Sequence, residues 1–468
     1  MNRKIFIGVA WPYANGSLHL GHVSGLIASD ILARYFRAKG DDVLMVSGSD
    51  CHGTPIVVTA EQEKIPPKEV AEKYHKEFVR TLVEGLDFSY DNYTTTLTET
   101  HRKTVQELFL KLLGKEYIYK KTEDLPYCPK CERFLPDRYI EGECYHCHFS
   151  PARGDQCDNC GNLIDPKLLI NPHCKICQTA PIWKPSEHFF LKLSAFQNEL
   201  EDWSQKAKNW RTNAVGFTKK LLKEGLHDRA ITRDTDWGVP IPLEGYDDKR
   251  IYVWFDAVVG YYSASIEWAE KRNQPDAYKD FWQNDEAIHY YVHGKDNIPF
   301  HTTIWPAMLM GAGNLHLPDR IISSEYLTLE KDKFSKSRHH AVWLPDFLAN
   351  FDSETLRFYL VINGPETSDA DFSWHEFQDR TNNDLIGNFA NFINRTVHLI
   401  KNNFTDGISI KDQKAENFSA VFENVGALIE QGKLREALKQ VLAVSEQANK
   451  FLAETEPWKT VKTDPDKA

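Results

Sequence analysis

The sequence predicts an α/β protein: a parallel-sheet domain interrupted by an insertion that folds on metal, followed by an α-helical bundle. Three observations predict it. Strand, helix and strand patterns follow one another between Lys4 and Asp50. Eight of the nine cysteines fall into four Cys-x-x-Cys pairs between Cys128 and Cys177. From about Gly387 onward the apolar residues recur at helical spacing.

Taken in order, "KIFIGVA" (4–10) is a short apolar run and reads as a buried strand, followed by the turn signal Asn15-Gly16. Val23, Leu26, Ile27, Ile31 and Tyr35 repeat at helical spacing, to an end near Lys39-Gly40. "DVLMVSGSD" (42–50) is a second buried strand. Together these form a βαβ unit, which joins parallel strands by a right-handed crossover. Helical patterns fill 68–85 and 99–115. After Tyr117 the chain becomes rich in Cys, Pro, Gly and Asp, to about Lys184. Buried-strand signals return in "RIYVWFDAVVGY" (250–261), "AIHYYVHGKD" (287–296) and "RIISSEYLTL" (320–329). One sheet domain with a long insertion accounts for this alternation most simply.

At 468 residues the chain has room for three or four domains. Its net charge of -11 argues against broad polyanion binding through overall charge, though a local basic strip can still grip a nucleic acid. No run approaches the ~18 apolar residues of a membrane span. "MNRKIFIGVAW" imitates a short signal peptide, but the Pro-Tyr-Ala-Asn-Gly turn stands where a small-residue cleavage site would be, so a cytoplasmic protein is expected. In that compartment Cys-x-x-Cys pairs read as zinc ligands rather than disulfides. Eight thiolates suffice for two tetrahedral sites, and closed all-cysteine sites are structural because no position is left for substrate. The spacing does not dictate how the pairs combine.

Two stretches carry chemistry. In "WPYANGSLHLGH" (11–22), His19 and His22 stand three apart at a helix start. Helix N-termini collect phosphates through free N–H groups and the helix dipole, and an imidazole adds a donor without a fixed charge. In "KDKFSKSRHH" (331–340), Lys333 and Lys336 stand three apart, with Ser335 and Ser337 flanking Lys336 and Arg338 after them. A loop of this kind stabilises charge developing on a pyrophosphate. Each stretch alone is also compatible with a solvated surface.

Together, "HLGH" and "KFSKS" resemble the HIGH and KMSKS signatures of class I aminoacyl-tRNA synthetases, each differing only at the apolar position. "AWPYANGSLHLGH", "SGSDCHGTPI", "YVWFDAVVGYYS" and "HGKDNIPFHTTIWPAMLM" resemble the methionyl-tRNA synthetase family in particular, from residue 4 to about 460. The resemblance implies a Rossmann-like class I synthetase catalytic domain in two halves, 1–117 and 231–322, with an inserted connective domain bearing zinc knuckles at 118–230. A stem-contact region with KFSKS at 323–386 and an α-helical anticodon-binding domain at 387–468 would follow. An insertion of this size leaves no space for the editing domain of the isoleucyl, valyl or leucyl enzymes.

The resemblance also implies roles. His19 and His22 would bind ATP phosphates and ribose, Lys333 and Lys336 would stabilise the leaving pyrophosphate, Arg233 would approach it, and Asp296 would contact the substrates near the adenylate. Ala10, Tyr13, Asp50, Trp254, Ala257, Tyr261 and His301 would form the methionine pocket. There Asp50 would pair with the α-ammonium and Tyr13 and His301 would approach the sulfur. Trp254, Ala257 and Tyr261 would form the wall. Val258 stands where many members have proline, and Asn297 where others have an aliphatic residue. Cys51 reads as a small buried filler.

For the cysteines the resemblance implies nesting: Cys144/Cys147 with Cys157/Cys160, and Cys128/Cys131 with Cys174/Cys177. Asn391, Arg395 and Trp458 match positions that read the CAU anticodon, where single-stranded bases are stacked on aromatic rings and hydrogen-bonded at their edges. Family members usually continue with further helices, whereas this sequence ends about ten residues past Trp458. The implied cofactors are one or two structural Zn2+ ions and Mg2+ with ATP. The implied partners are L-methionine, ATP and tRNA(Met), with no membrane and no DNA.

Overall fold

The structure is a computed structural model that describes residues 2–136, 139–154, 157, 159–160, 164–333, 340–404 and 416–463. Its centre is a five-stranded parallel sheet in the order Arg320–Ser324, Ile288–Gly294, Lys4–Val9, Asp42–Ser49, Asn92–Thr95. The strands are buried on both faces, as all-parallel sheets are, and successive side chains serve opposite cores. Ile5, Ile7 and Val9 enter one core with Met45, Tyr290 and Val292. Phe6 enters the other with Leu44, Val46 and Tyr291. Phe6 is fully buried, so Phe6→Ala is expected to destabilise the chain by about 3–5 kcal/mol in chemical denaturation.

From the first strand the chain winds outward through the strands at 42 and 92, then returns to the opposite side at 288. The order therefore reverses between Lys4–Val9 and Ile288–Gly294. Open α/β sheets bind ligands in the crevice outside the carboxyl ends of the strands at such a switch point. Ala10, Asp50 and Asp296 all lie just past those strand ends.

Between the third and fourth strands, the helix Glu99–Gly114 leads into a long antiparallel pair, Ile118–Cys128 against Ile182–Leu191, whose far end carries the cysteines. The core there is thin: four cysteines with Leu135, Tyr139, Ile140, Ala152, Ile164 and Leu169. At the other end of the chain, Arg357 and Arg34 both hydrogen-bond the fully buried Asp30, tying the helix Ser353–Ile362 to the helix Ile27–Ala38. Helices at Asn391–Asn403, Glu416–Glu430 and Leu434–Thr455 make up the C-terminal part. Among the described residues, no helix is long and apolar enough to cross a membrane.

Three expectations are corrected. The apolar run 250–261 is a strand only at Lys249–Ile251 and then a helix, Val253–Lys271. A continuous apolar run does not separate a buried strand from a buried helix, and this helix is wrapped by core over most of its length. The helix expected from Val23 is broken in two, Leu20–Ser24 and Ile27–Ala38. "RIISSEYLTL" is two strands in two different sheets, separated at Glu325-Tyr326.

Candidate active site

His19 caps the short helix Leu20–Ser24. Its backbone N–H donates to His22 Nδ1 at 3.0 Å, and the two rings lie 3.8 Å apart. An imidazole that accepts at Nδ1 keeps its proton on Nε2 when neutral, which makes His22 a donor there. The segment after KFSKS runs beside this pair: Leu20 N–H donates to Val342 O and Leu344 N–H to Leu18 O, at 3.1 and 2.8 Å. Trp343 stands opposite His19 in an isolated bridge. Lys333 is placed by its backbone in the two-residue strand Asp332–Lys333, paired with Thr328. Lys336 lies outside the described residues.

Asp50 ends the second strand and is almost fully buried. Its backbone forms a bridge with Tyr13 and accepts Ala14 N–H at 2.8 Å, which seats the 10–14 turn on it. Burial pushes the Asp50 carboxyl well up, the nearby charge of Asp256 pushes it further, and a hydrogen bond from His52 N–H opposes both. A sealed carboxylate of this kind favours a cationic ligand.

Trp254, Ala257 and Tyr261, three and four residues apart, share one face of the helix Val253–Lys271. Tyr13 meets Trp254 edge-on at 6.5 Å. The Tyr261 hydroxyl lies 2.7 Å from His301 Nε2, and His301 Nδ1 lies 2.8 Å from Asn297 O. A carbonyl only accepts, so the proton sits on Nδ1 and Tyr261 donates to Nε2. Burial pushes His301 down to about 4, so it stays neutral at physiological pH. Asn297 serves His301 through its backbone carbonyl, and Val258 faces the core beside the sheet.

The Arg233 guanidinium lies 3.7 Å over the Tyr252 ring and donates to Ala230 O and Thr232 O. Asp296 accepts a hydrogen bond from the Tyr326 hydroxyl. Lys295 pairs with Glu325 and Asp369 at 2.7 and 2.9 Å.

Comparison with known proteins decides the family. The family model described as "tRNA synthetases class I (M)" matches residues 5–397. The methionine–tRNA ligase of Dehalococcoides mccartyi is 52% identical over 99% of this chain and 85% of its own length. Methionine–tRNA ligase 1 of Bacillus cereus is 51% identical over the same shares. This chain belongs to the methionine–tRNA ligase family. The methionyl-tRNA synthetase of Mycobacterium tuberculosis, solved in complex with methionyl-adenylate, has the same fold, with a TM-score of 0.79 at 24% identity over 99% of this chain and 86% of that one.

In this ligase-family chain the cysteines combine by nesting. Cys128, Cys131, Cys174 and Cys177 form one group and Cys144, Cys147, Cys157 and Cys160 the other, with all sulfurs of a group within 4.8 Å of one another. Close Sγ–Sγ contacts across the pairs include 3.3 Å (Cys128–Cys177), 3.7 Å (Cys147–Cys157) and 3.9 Å (Cys131–Cys174 and Cys144–Cys160). A tetrahedron with metal–sulfur bonds of about 2.3 Å has edges of about 3.8 Å, so both groups fit zinc. In the C-terminal helices, the Arg395 guanidinium lies 5.0 Å over the Trp458 ring, and Asn391 is exposed one turn before Arg395.

Sequence reasoning missed several residues at the site. Phe300 stacks on Trp254 at 4.0 Å, nearly parallel. The Trp11 indole fills the space between two glycines: a methyl group at Gly48 would lie 2.6 Å from that ring, and one at Gly260 2.9 Å. Asp256, with His52 and His101, was also missed. Its signal was a lone carboxylate inside an apolar run, which demands buried partners.

Proposed function

We propose that this chain joins L-methionine to tRNA(Met) with the residues gathered at the switch point. A methionine carboxylate oxygen attacks the α-phosphorus of ATP, which enters as its magnesium complex. The bond from the α-phosphorus to its bridging oxygen breaks, and pyrophosphate departs. A hydroxyl of the terminal adenosine of the tRNA then attacks the carbonyl carbon of methionyl-adenylate, and AMP leaves. No side chain acts as nucleophile, so catalysis is positioning plus electrostatics.

Asp50 holds the α-ammonium, and Tyr13 and His301 approach the sulfur between the walls of Ala10, Trp254, Ala257 and Tyr261. A thioether is suited to aromatic edges of this kind. His19 and His22 bind ATP phosphates and ribose, Asp296 contacts the substrates near the adenylate, and Arg233, Lys333 and Lys336 meet the pyrophosphate. The division at 117/118, 230/231, 322/323 and 386/387 assigns catalysis to the sheet, stem contact to 323–386 and anticodon reading to Asn391, Arg395 and Trp458. The zinc knuckles are structural and guide the tRNA 3′ end. The enzyme works in the cytoplasm.

One observation carries this reading: the segment 342–344, a few residues past KFSKS and more than 300 residues along the chain, is hydrogen-bonded to residues 18–20 at the His19/His22 turn. The test is charging of a CAU-anticodon tRNA with labelled methionine, which this reading predicts and whose absence in folded, zinc-loaded protein would refute it. Lys336→Ala is expected to slow pyrophosphate-forming activation by about 10²-fold or more while leaving methionine affinity nearly intact. An unchanged rate would remove the pyrophosphate role.

A further inference from the structure

Asp296 is exposed, on the single turn Lys295–Asn297 that follows the strand Ile288–Gly294. An exposed side chain samples several rotamers, and ordering it for a substrate costs entropy unless the protein has already fixed it. Tyr326 supplies that restraint. Its hydroxyl donates to Asp296 Oδ1, and burial together with this carboxylate pushes the hydroxyl's titration up, so it keeps its proton. A carboxylate offers about four acceptor positions, so one phenol leaves capacity for a substrate donor.

Tyr326 is itself clamped. Lys295 Nζ lies 3.8 Å from the centroid of its ring and pairs with Glu325 Oε2 and Asp369 Oδ1 at 2.7 and 2.9 Å. Tyr326 N–H donates to the same Asp369 oxygen at 2.9 Å, and Tyr326 O accepts Ala370 N–H at 3.0 Å. The clamped residue also links two sheets. The central-sheet strand Arg320–Ser324 ends just before it, and the strand Leu327–Leu329 begins immediately after it. That second strand pairs with Asp332–Lys333, where KFSKS begins, with Thr328 opposite Lys333. The residue assigned to the adenylate and the strand that carries a pyrophosphate lysine therefore meet at one side chain.

We propose that Tyr326, clamped by Lys295, is a positioning residue for adenylate formation: its hydroxyl fixes the Asp296 carboxylate against the strand that leads to Lys333. Hydrogen bonds to a charged group are the stronger kind, and small errors in the placement of a substrate contact cost rate. Methionine is held elsewhere, at Asp50 past the strand Asp42–Ser49, so the clamp acts on rate and not on methionine affinity. The proposal rests on the assignment of Asp296 to the substrates.

Tyr326→Phe keeps the ring against Lys295 and removes only the hydroxyl. It is expected to lower the pyrophosphate-exchange rate at saturating methionine and ATP about tenfold, with the methionine KM within about twofold of wild type and the melting temperature unchanged. Asp296→Ala alone slows exchange further. Adding Tyr326→Phe to Asp296→Ala then costs less than about twofold more, because a residue that acts through Asp296 has nothing left to position. A purely structural role gives the opposite pattern, in which the two losses multiply and the methionine KM rises with them. Multiplied losses, a methionine KM raised as much as the rate falls, or a Tyr326→Phe rate within about twofold of wild type overturns the proposal. Asp296→Ala also tests the underlying assignment separately. An unchanged exchange rate in that variant removes the substrate role of Asp296, whereas a slow Asp296→Ala beside an unaffected Tyr326→Phe removes only the clamp.

Discussion

Asp50→Asn is expected to raise the KM for methionine by roughly a hundredfold while leaving the KM for ATP nearly unchanged. Asparagine keeps the shape and its backbone contacts, so the turn at 10–14 still seats through Ala14 N–H and the Tyr13 bridge. What is lost is a carboxylate facing a cation in a site sealed from water. Removing one partner of a buried charge pair costs about 3 kcal/mol, which is about a hundredfold in affinity. Pyrophosphate exchange at varied methionine and fixed ATP measures it. A methionine KM within about threefold of wild type, a difference below 1 kcal/mol, would remove Asp50 from the ammonium role.

Cys174→Ser should have the second large effect, and on a different step. Cys174 is fully buried in the thin core of the insertion, and its group spans the two ends of that segment, since Cys128 and Cys131 lie before the inner group and Cys174 and Cys177 after it. Metal-binding energy in such domains is folding energy, on the order of 10 kcal/mol, with little apolar core to replace it. Bound zinc should fall to the inner group alone, and tRNA charging should drop at least about tenfold through loss of local order. Methionine-dependent exchange should persist, because the switch-point residues sit on the parallel sheet and its own helices, and the knuckles reach that part through Val58 and Glu61 of the helix Thr54–Glu63 rather than through the pocket residues. Equal losses in both assays would mean that the knuckles support the whole catalytic domain.

The sheet was legible where local pattern and burial agree. "KIFIGVA" and "DVLMVSGSD" are short apolar runs flanked by turn residues, and both are strands. The helix Val253–Lys271 was not legible as a helix, because its start is as uniformly apolar as a central strand and tertiary packing decides between the two. His19 and His22 stood out because paired imidazoles at a turn are unusual, but only the fold sets residues 342–344 beside them. The cysteine ligands were legible by type and spacing, and their combination was not, because either pairing closes two tetrahedra. Asp256 and His101 are 155 residues apart, and no local pattern joins them.

The central claim is that this crevice activates methionine, and methionine-dependent ATP–pyrophosphate exchange tests it most directly. Isoleucine, valine, leucine and cysteine serve as competitors in the same assay. Exchange with methionine alone is the predicted result, and it would place ATP on the His19/His22 turn and methionine against Asp50. Exchange driven equally by another of these amino acids, or by none of them in folded and zinc-loaded protein, would contradict the account.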